Sequence, residues 1–244
     1  MPVRPVPAAT LLLVRDGQEG IEVLLATRHD AAGFAAGATV FPGGKLDTGD
    51  HALAGTGDPL RVAAIREAFE ECGILLARRA GALLSGAELA RLTAPRSSTI
   101  GFGAFVESAG LALATDLLVP FAHWITPADQ PKRFDTHFFL APAPAEQVAR
   151  HDGREATIVH WLTAEGAIAA ARLGEIKLVL PTRLNLLKLG RSRTVAEALE
   201  AARRSAIVTV QPEIVDTAAG PAFQIPAAAD YGVTEILVSH YRRT

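Results

Sequence analysis

Two short stretches, PGGKLDTGD (42–50) and REAFEECGI (66–74), decide how the rest of this chain is read. In the second, Glu67, Glu70 and Glu71 fall at i, i+3 and i+4. On a helix those positions share one face, and Ile65, Phe69 and Cys72 fall on the opposite face, suited to a core. Like charges at this spacing destabilise a helix; a hard divalent cation between the carboxylates removes the conflict. The helix has marked ends: Asp58 as N-cap, Pro59 at the first helical position and Gly73 as a left-handed stop. Val62, Ile65 and Phe69 give it an apolar stripe. Upstream, Val40 and Phe41 read as a strand end, and Pro42-Gly43-Gly44 forces an irregular turn whose backbone can approach a ligand closely. A glycine loop leading towards an acidic helix suits a metal-bound phosphate compound. A lone ExxEE is more simply a solvated helix face, but Arg66, Gly73 and the upstream PGG add to it here.

Outward from this centre, the apolar runs at 8–14 and 21–27, separated by RDGQEG, read as two strands joined by a turn. Residues 30–38 read as a loop. The stretch HALAGTGDPL (51–60) is small and Gly-rich and reads as a lengthened loop, which costs little closure entropy. Ser85 and Glu88 form a capping box for a short helix. Residues 98–109 are ambiguous, because Gly101 and Gly103 weaken a helical reading. Residues 117–125, 134–141 and 156–162 read as strands, the first with an edge or bulge at Pro120. Thr163 caps a helix to Leu173. Further on, 182–189 suggests a helix and 193–204 a clear amphipathic one, with Val195, Ala198, Leu199 and Ala202 on one face. Residues 207–210, 223–225 and 236–238 are strand-like. The pattern lacks regular βαβ alternation and argues for α+β.

Composition agrees. The 244 residues suffice for one domain or one domain with an extension, and 49% hydrophobic with 20% charged residues is a globular balance. A net charge of −2 argues against a general nucleic-acid binder. Cys72 is the only cysteine, so no internal disulfide forms and the cytoplasm is the expected compartment. No apolar run approaches membrane-spanning length, so no membrane partner is expected. The oligomeric state stays open, a homodimer included.

At the opening residues the sequence resembles the Nudix hydrolases, whose box runs G-x5-E-x7-R-E-U-x-E-E-x-G-U with U aliphatic. Gly44 matches the first glycine; Arg66, Glu67, Glu70, Glu71, Gly73 and Ile74 match the end. Asp50 replaces the first glutamate, and eight extra residues lie between Asp50 and Arg66. The resemblance implies an α/β/α sandwich around a mixed sheet over residues 8–173, with 174–244 as a helix and strand extension packed on it. It implies Glu67, Glu70 and Glu71 as ligands of Mg2+, or of Mn2+, together with the Gly43 carbonyl. It implies that Arg66 orients carboxylates, with help from Asp50. Such enzymes often add a carboxylate from a loop outside the box; Glu155 is the candidate, with Asp152 in reserve.

AHWITP (122–127), KRFDTHFFLA (132–141), the inserted box and LPTRLNLL (180–187) resemble the branch containing the acyl-coenzyme A diphosphatases. That implies hydrolysis of coenzyme A or an acyl-coenzyme A to 3′,5′-ADP and a phosphopantetheine. ADP-ribose or NADH is the alternative substrate, and a nucleotide sensor without catalysis the alternative function. Gly37-Ala38-Thr39 departs from the wider coenzyme A signature. Arg28, Lys45 and Arg133 are candidate phosphate contacts; FDTHFF reads first as a core-facing strand, with Phe134 against an adenine ring as the alternative. His137, His151 and His160 read as ordinary surface or sheet residues, and no Cys/His spacing suggests zinc.

Overall fold

The computed structural model describes residues 3–29, 36–92 and 101–241. The two apolar runs become β1 (Val6–Gly17) and β2 (Gly20–Arg28), an antiparallel hairpin closed by the Gly17–Gly20 pair. β3 (Ala38–Val40) pairs with β2, and β4 (Gly43–Lys45) pairs with β1. Next come α1 (Thr48–Ala54) and α2 (Pro59–Cys72). α2 has the expected ends: Asp58 accepts from Leu60 N, Pro59 starts the helix, and Gly73, at φ 71°, donates to Phe69 O.

A small sheet of β5 (Ala77–Arg79), β6 (Ala82–Leu83) and β7 (Ala112–Leu113) follows, with α3 (Gly86–Arg91) and α4 (Phe102–Ser108) between its last two strands. Ser85 and Glu88 make the expected capping box on α3. The long strands β8 (Val119–Ile125), β9 (Phe134–Pro142) and β10 (Ala156–Thr163) precede α5 (Ala164–Leu173), capped by Thr163. Then come β11 (Lys177–Leu178), α6 (Leu180–Leu189), α7 (Val195–Arg204) and β12 (Thr209–Val210). A three-stranded sheet of β13 (Glu213–Thr217), β14 (Gly220–Gln224) and β15 (Glu235–Leu237) leads to α8 (Val238–Tyr241).

The main sheet runs β11-β3-β2-β1-β9-β8-β12, with β10 also on β2 and β4 also on β1. β1/β9, β3/β11 and β8/β12 are parallel and the remaining pairs antiparallel, so the sheet is mixed. Both faces of β1 are covered, which is why Leu11 to Val14 is an unbroken apolar run. Leu12 and Val14 join Ile168, Leu184 and Ala198 in one core, under α5, α6 and α7. Leu11 and Leu13 join Ile65, Phe69 and Cys72 in the other, under α2. This is an α/β/α sandwich of the α+β class. Residues beyond 174 supply α6 and α7 to one layer and two strands to the main sheet. Trp124 Nε1 donates to Tyr231 Oη at 2.8 Å, and Tyr231 Oη donates to Asn185 Oδ1 at 2.7 Å, which ties β8 to both ends of that segment.

Two readings change and two open ones are resolved. The irregular turn expected at Pro42-Gly43-Gly44 is replaced from Gly43 onward by the strand β4, which forms because it pairs with Ala8 to Thr10. Part of the inserted loop folds as α1, because Asp47 and Asp50 form a capping box and Asp50, fully buried, is clamped to α2; tertiary contact overrides a weak local preference. Of the edge or bulge expected at Pro120, the structure shows the bulge, between Pro120 and Ala122. The ambiguous stretch at 98–109 contains α4 from Phe102, its start lying outside the described residues; most of the loop expected at 30–38 lies outside them too. Among the described residues no helix is long and apolar enough to cross a membrane.

Candidate active site

A cleft of about 1040 Å³ lies beside β1, β4 and β9, with the carboxylates of α2 on one wall. Glu67 and Glu71, one turn apart on α2, are only 9% and 4% exposed. Glu155, in the loop before β10, joins them: one carboxylate oxygen from each of the three lies within 4.8 Å of the others. Burial pushes Glu67 up to about 7, against the pull of Arg66. Burial pushes Glu71 up to about 8, and the neighbouring Glu67 adds to it. Two carboxyls this reluctant to ionise alone are what a divalent cation would ionise. Every side-chain donor is a carboxylate oxygen, the set that suits Mg2+ or Mn2+.

The glycine turn fits against this cluster. Gly43 N donates to Glu71 Oε2 at 3.2 Å. A Cβ on Gly43 would come within 2.6 Å of Ala9 O, and one on Gly44 would land inside the Glu67 carboxylate. A side chain at Gly43 would meet backbone, and one at Gly44 would push the Glu67 carboxylate aside, so Gly43 and Gly44 bring backbone close to acid; the strand β4 does this, not the irregular turn expected.

Arg66 organises the acids from beside the cluster. Its Nε and Nη2 bind both oxygens of Asp50 at 2.8 and 2.9 Å. Its Nη1 donates to Glu67 Oε1 at 2.8 Å and Glu70 Oε2 at 2.9 Å, and Nη2 also reaches Lys45 O at 2.9 Å. Burial opposes the guanidinium charge, but Asp50 and Glu67 outweigh it and hold the proton more firmly than usual. Glu70 is thus turned towards Arg66 and is the most exposed of the three box acids; burial still raises it. The tight group is Glu67, Glu71 and Glu155, where the helical spacing alone grouped Glu67, Glu70 and Glu71.

Glu155 is placed by backbone bonds around it. Arg150 N donates to Cys72 O, and His29 N to Glu155 O. Buried Gln147 bonds Leu75 through both its oxygen and its nitrogen, and Leu84 O through its nitrogen. Asp152 accepts from the amides of Arg154, Glu155 and Ala156. The reserve candidate therefore spends its carboxylate shaping the turn that presents Glu155.

The phosphate candidates divide. Arg28, at the end of β2, lines the cleft, lies 3.8 Å from Glu71, and has a buried Nε without a hydrogen-bond partner. Lys45 also lines the cleft. Arg133 does not belong with them. It is 7% exposed and its guanidinium is spent on Thr126 O and Val3 O, pinning the N-terminal strand to the β8–β9 connection. Phe134 does line the cleft, as do Trp124, Ile125, Pro212 and Phe223.

A mixed-sheet sandwich with an acidic helix facing a glycine turn is the architecture of a Nudix domain. Within that class the chain belongs to the Nudix hydrolase family described as the NUDT19 Nudix domain, whose model matches residues 51–189. A crystal structure of a NUDIX hydrolase from Alicyclobacillus acidocaldarius is 30% identical with a TM-score of 0.69, covering 81% of this chain and 96% of that one. Nudix hydrolase 7 of Caenorhabditis elegans is 29% identical over 167 residues, which is 68% of this chain. The match spans 55% of that relative, about half its length.

Proposed function

We propose that this chain hydrolyses a nucleoside diphosphate-linked compound with Mg2+ or Mn2+, and that its substrate is coenzyme A or an acyl-coenzyme A. Water adds across the diphosphate to give 3′,5′-ADP and the 4′-phosphopantetheine or its acyl form. Glu67, Glu70, Glu71, Glu155 and the Gly43 carbonyl hold the ion; when bound, it neutralises phosphate oxygens and activates water. Arg66 orients Glu67 and Glu70, with Asp50 fixing its guanidinium. Arg28 and Lys45 bind phosphate by charge-assisted hydrogen bonds.

One observation supports the substrate choice: the same cleft is lined by the box carboxylates and by the apolar side chains of Trp124, Ile125, Phe134 and Phe223. A polar diphosphate with a long, weakly polar arm suits such a lining better than a ligand polar at both ends. The segments resembling acyl-coenzyme A diphosphatases, AHWITP and KRFDTHFFLA, supply Trp124, Ile125 and Phe134 to that lining. The test is a panel with Mg2+ or Mn2+: coenzyme A, a medium-chain acyl-coenzyme A, ADP-ribose, NADH and nucleoside triphosphates. The expected result is highest catalytic efficiency on a coenzyme A species. Higher efficiency on ADP-ribose or NADH overturns the substrate, and binding without turnover across the panel overturns the enzyme in favour of a sensor.

A further inference from the structure

We infer that His123, Asp135 and His137 form a second metal site, distinct from the carboxylate cleft, for a divalent transition ion of the zinc class. His123 on β8 and His137 on β9 are cross-strand partners, and Asp135 lies two residues before His137, on the same face. One ligand atom from each lies within 4.8 Å of the others. His123 Nε2 is 2.5 Å, and His137 Nε2 3.7 Å, from the same oxygen, Asp135 Oδ1. The two rings stack at 4.1 Å with 21° between their planes. Donors sharing one tetrahedral ion at bonds of 2.0–2.2 Å sit about 3.4 Å apart, so small side-chain rotations convert this cluster into a coordination shell.

Thr136 and Phe138 line the cleft, so the alternation of β9 turns Asp135 and His137 to the opposite face of the sheet. There Phe139 packs in the α2 core and Asp58, the cap of α2, lies close enough to influence His137. An ion held here would not be the one in the cleft.

The chemistry selects the ion. Two imidazoles and one carboxylate suit Zn2+, Ni2+ or Cu2+, whereas Mg2+ prefers oxygen alone. The far nitrogen of His123, Nδ1, is 2.8 Å from Thr209 Oγ1. A metal-bound histidine has its second nitrogen anchored in this way. His123 is 15% exposed, Asp135 36% and His137 38%, which lets an ion enter and leaves room for a water ligand. Thr209 belongs to β12, so an ion would clamp β8, β9 and β12, the seam where the C-terminal segment joins the main sheet.

The experiment titrates full-length protein with Zn2+ in saturating Mg2+, by calorimetry and by long-range proton–nitrogen NMR of the histidine rings. One Zn2+ per chain is expected, with the Nε2 resonances of His123 and His137 shifting together. The double variant His123→Asn, His137→Asn loses this binding; Thr209→Val weakens it about tenfold; Glu67→Gln with Glu71→Gln retains it. Zn2+ binding that survives loss of both histidines, or wild-type rings that do not respond to Zn2+, overturns the site. The ring resonances of the wild type decide the matter alone if the histidine variant does not fold.

Discussion

Arg66→Gln is the most informative single change. Arg66 gives five hydrogen bonds, to Asp50 twice, Glu67, Glu70 and Lys45 O, and its side chain is 13% exposed. Asp50 has no exposed surface. Glutamine removes the cation and leaves three carboxylates facing one another. Breaking a buried pair from one side costs about 3–5 kcal/mol, but here the acids have an escape by taking up protons. Without Arg66 the folded-state pKa values of Glu67 and Glu70, already raised by burial, rise further above those of the unfolded chain. The folded state then keeps protons that the unfolded state has released, so stability is lost as pH rises. The expected loss is therefore about 3–4 kcal/mol near pH 8 but only about 1–2 kcal/mol near pH 5.5, where protonation relieves the repulsion. Urea unfolding in EDTA at both pH values measures it, with linear extrapolation. A loss below about 1 kcal/mol near pH 8, or an equal loss at both, refutes the idea that Arg66 holds these acids together.

Four shorter predictions follow. Metal-free wild-type protein should lose stability as pH rises from about 4.5, the ordinary glutamate value, through about 7 and 8, where Glu67 and Glu71 ionise; Mn2+ should restore it, and thermal scans with and without EDTA across that window check both. Gly44→Ala should displace the Glu67 carboxylate and cut kcat by about 10²-fold, measured in the substrate panel beside a thermal scan for folding. Glu155→Gln should lower kcat by about 10²-fold with little change in melting temperature, because the side chain is exposed; unchanged kcat removes Glu155 from the cluster's chemistry. Arg133→Ala should cost about 1–3 kcal/mol by orphaning Thr126 O and Val3 O and leave KM for the diphosphate within about twofold, which separates a structural clamp from a phosphate contact.

What the sequence made legible was whatever local chemistry dictates. The ends of α2 follow from Asp58, Pro59 and Gly73, and β1 and β2 from apolar runs broken by RDGQEG. The close approach at Gly43 and Gly44 follows from the absence of side chains there, although the irregular turn expected from Pro42-Gly43-Gly44 gives way to β4. Partners distant along the chain were not legible. Arg133 looks like a free cation until Val3, 130 residues away, takes its guanidinium. β4 has no strand propensity in Gly-Gly-Lys and exists because it pairs with Ala8 to Thr10. Glu155 is the first candidate and Asp152 the reserve, and what divides their roles, the closing of the turn on the Asp152 carboxylate, is a contact the sequence does not display. His123 and His137 became neighbours only through the pairing of β8 with β9, and the spacing of a single strand shows just Asp135 and His137 on one face. The signal available was a pair of strands each carrying a histidine, joined by a short connection.

The insertion in the box and the aspartate that precedes it belong to one device. Asp50 sits at the third position of α1, where its Oδ2 accepts from Asp47 N at 2.8 Å and completes the capping box. The same carboxylate holds Arg66 through both oxygens. Forming α1 therefore fixes Asp50, Asp50 fixes the guanidinium, and the guanidinium fixes Glu67 and Glu70. An aspartate side chain has fewer rotatable bonds than glutamate, so less entropy is lost in holding it, but its shorter reach requires the backbone to come to Arg66. α1, packed on α2, brings it there. The lengthened segment is thus not a passive loop beside the site: its first residues, 51–54, complete the helix α1 (Thr48–Ala54), which carries one end of its electrostatic chain. The carboxylate cluster then depends on a segment whose composition, rich in Gly and Ala, gives little sign of order by itself.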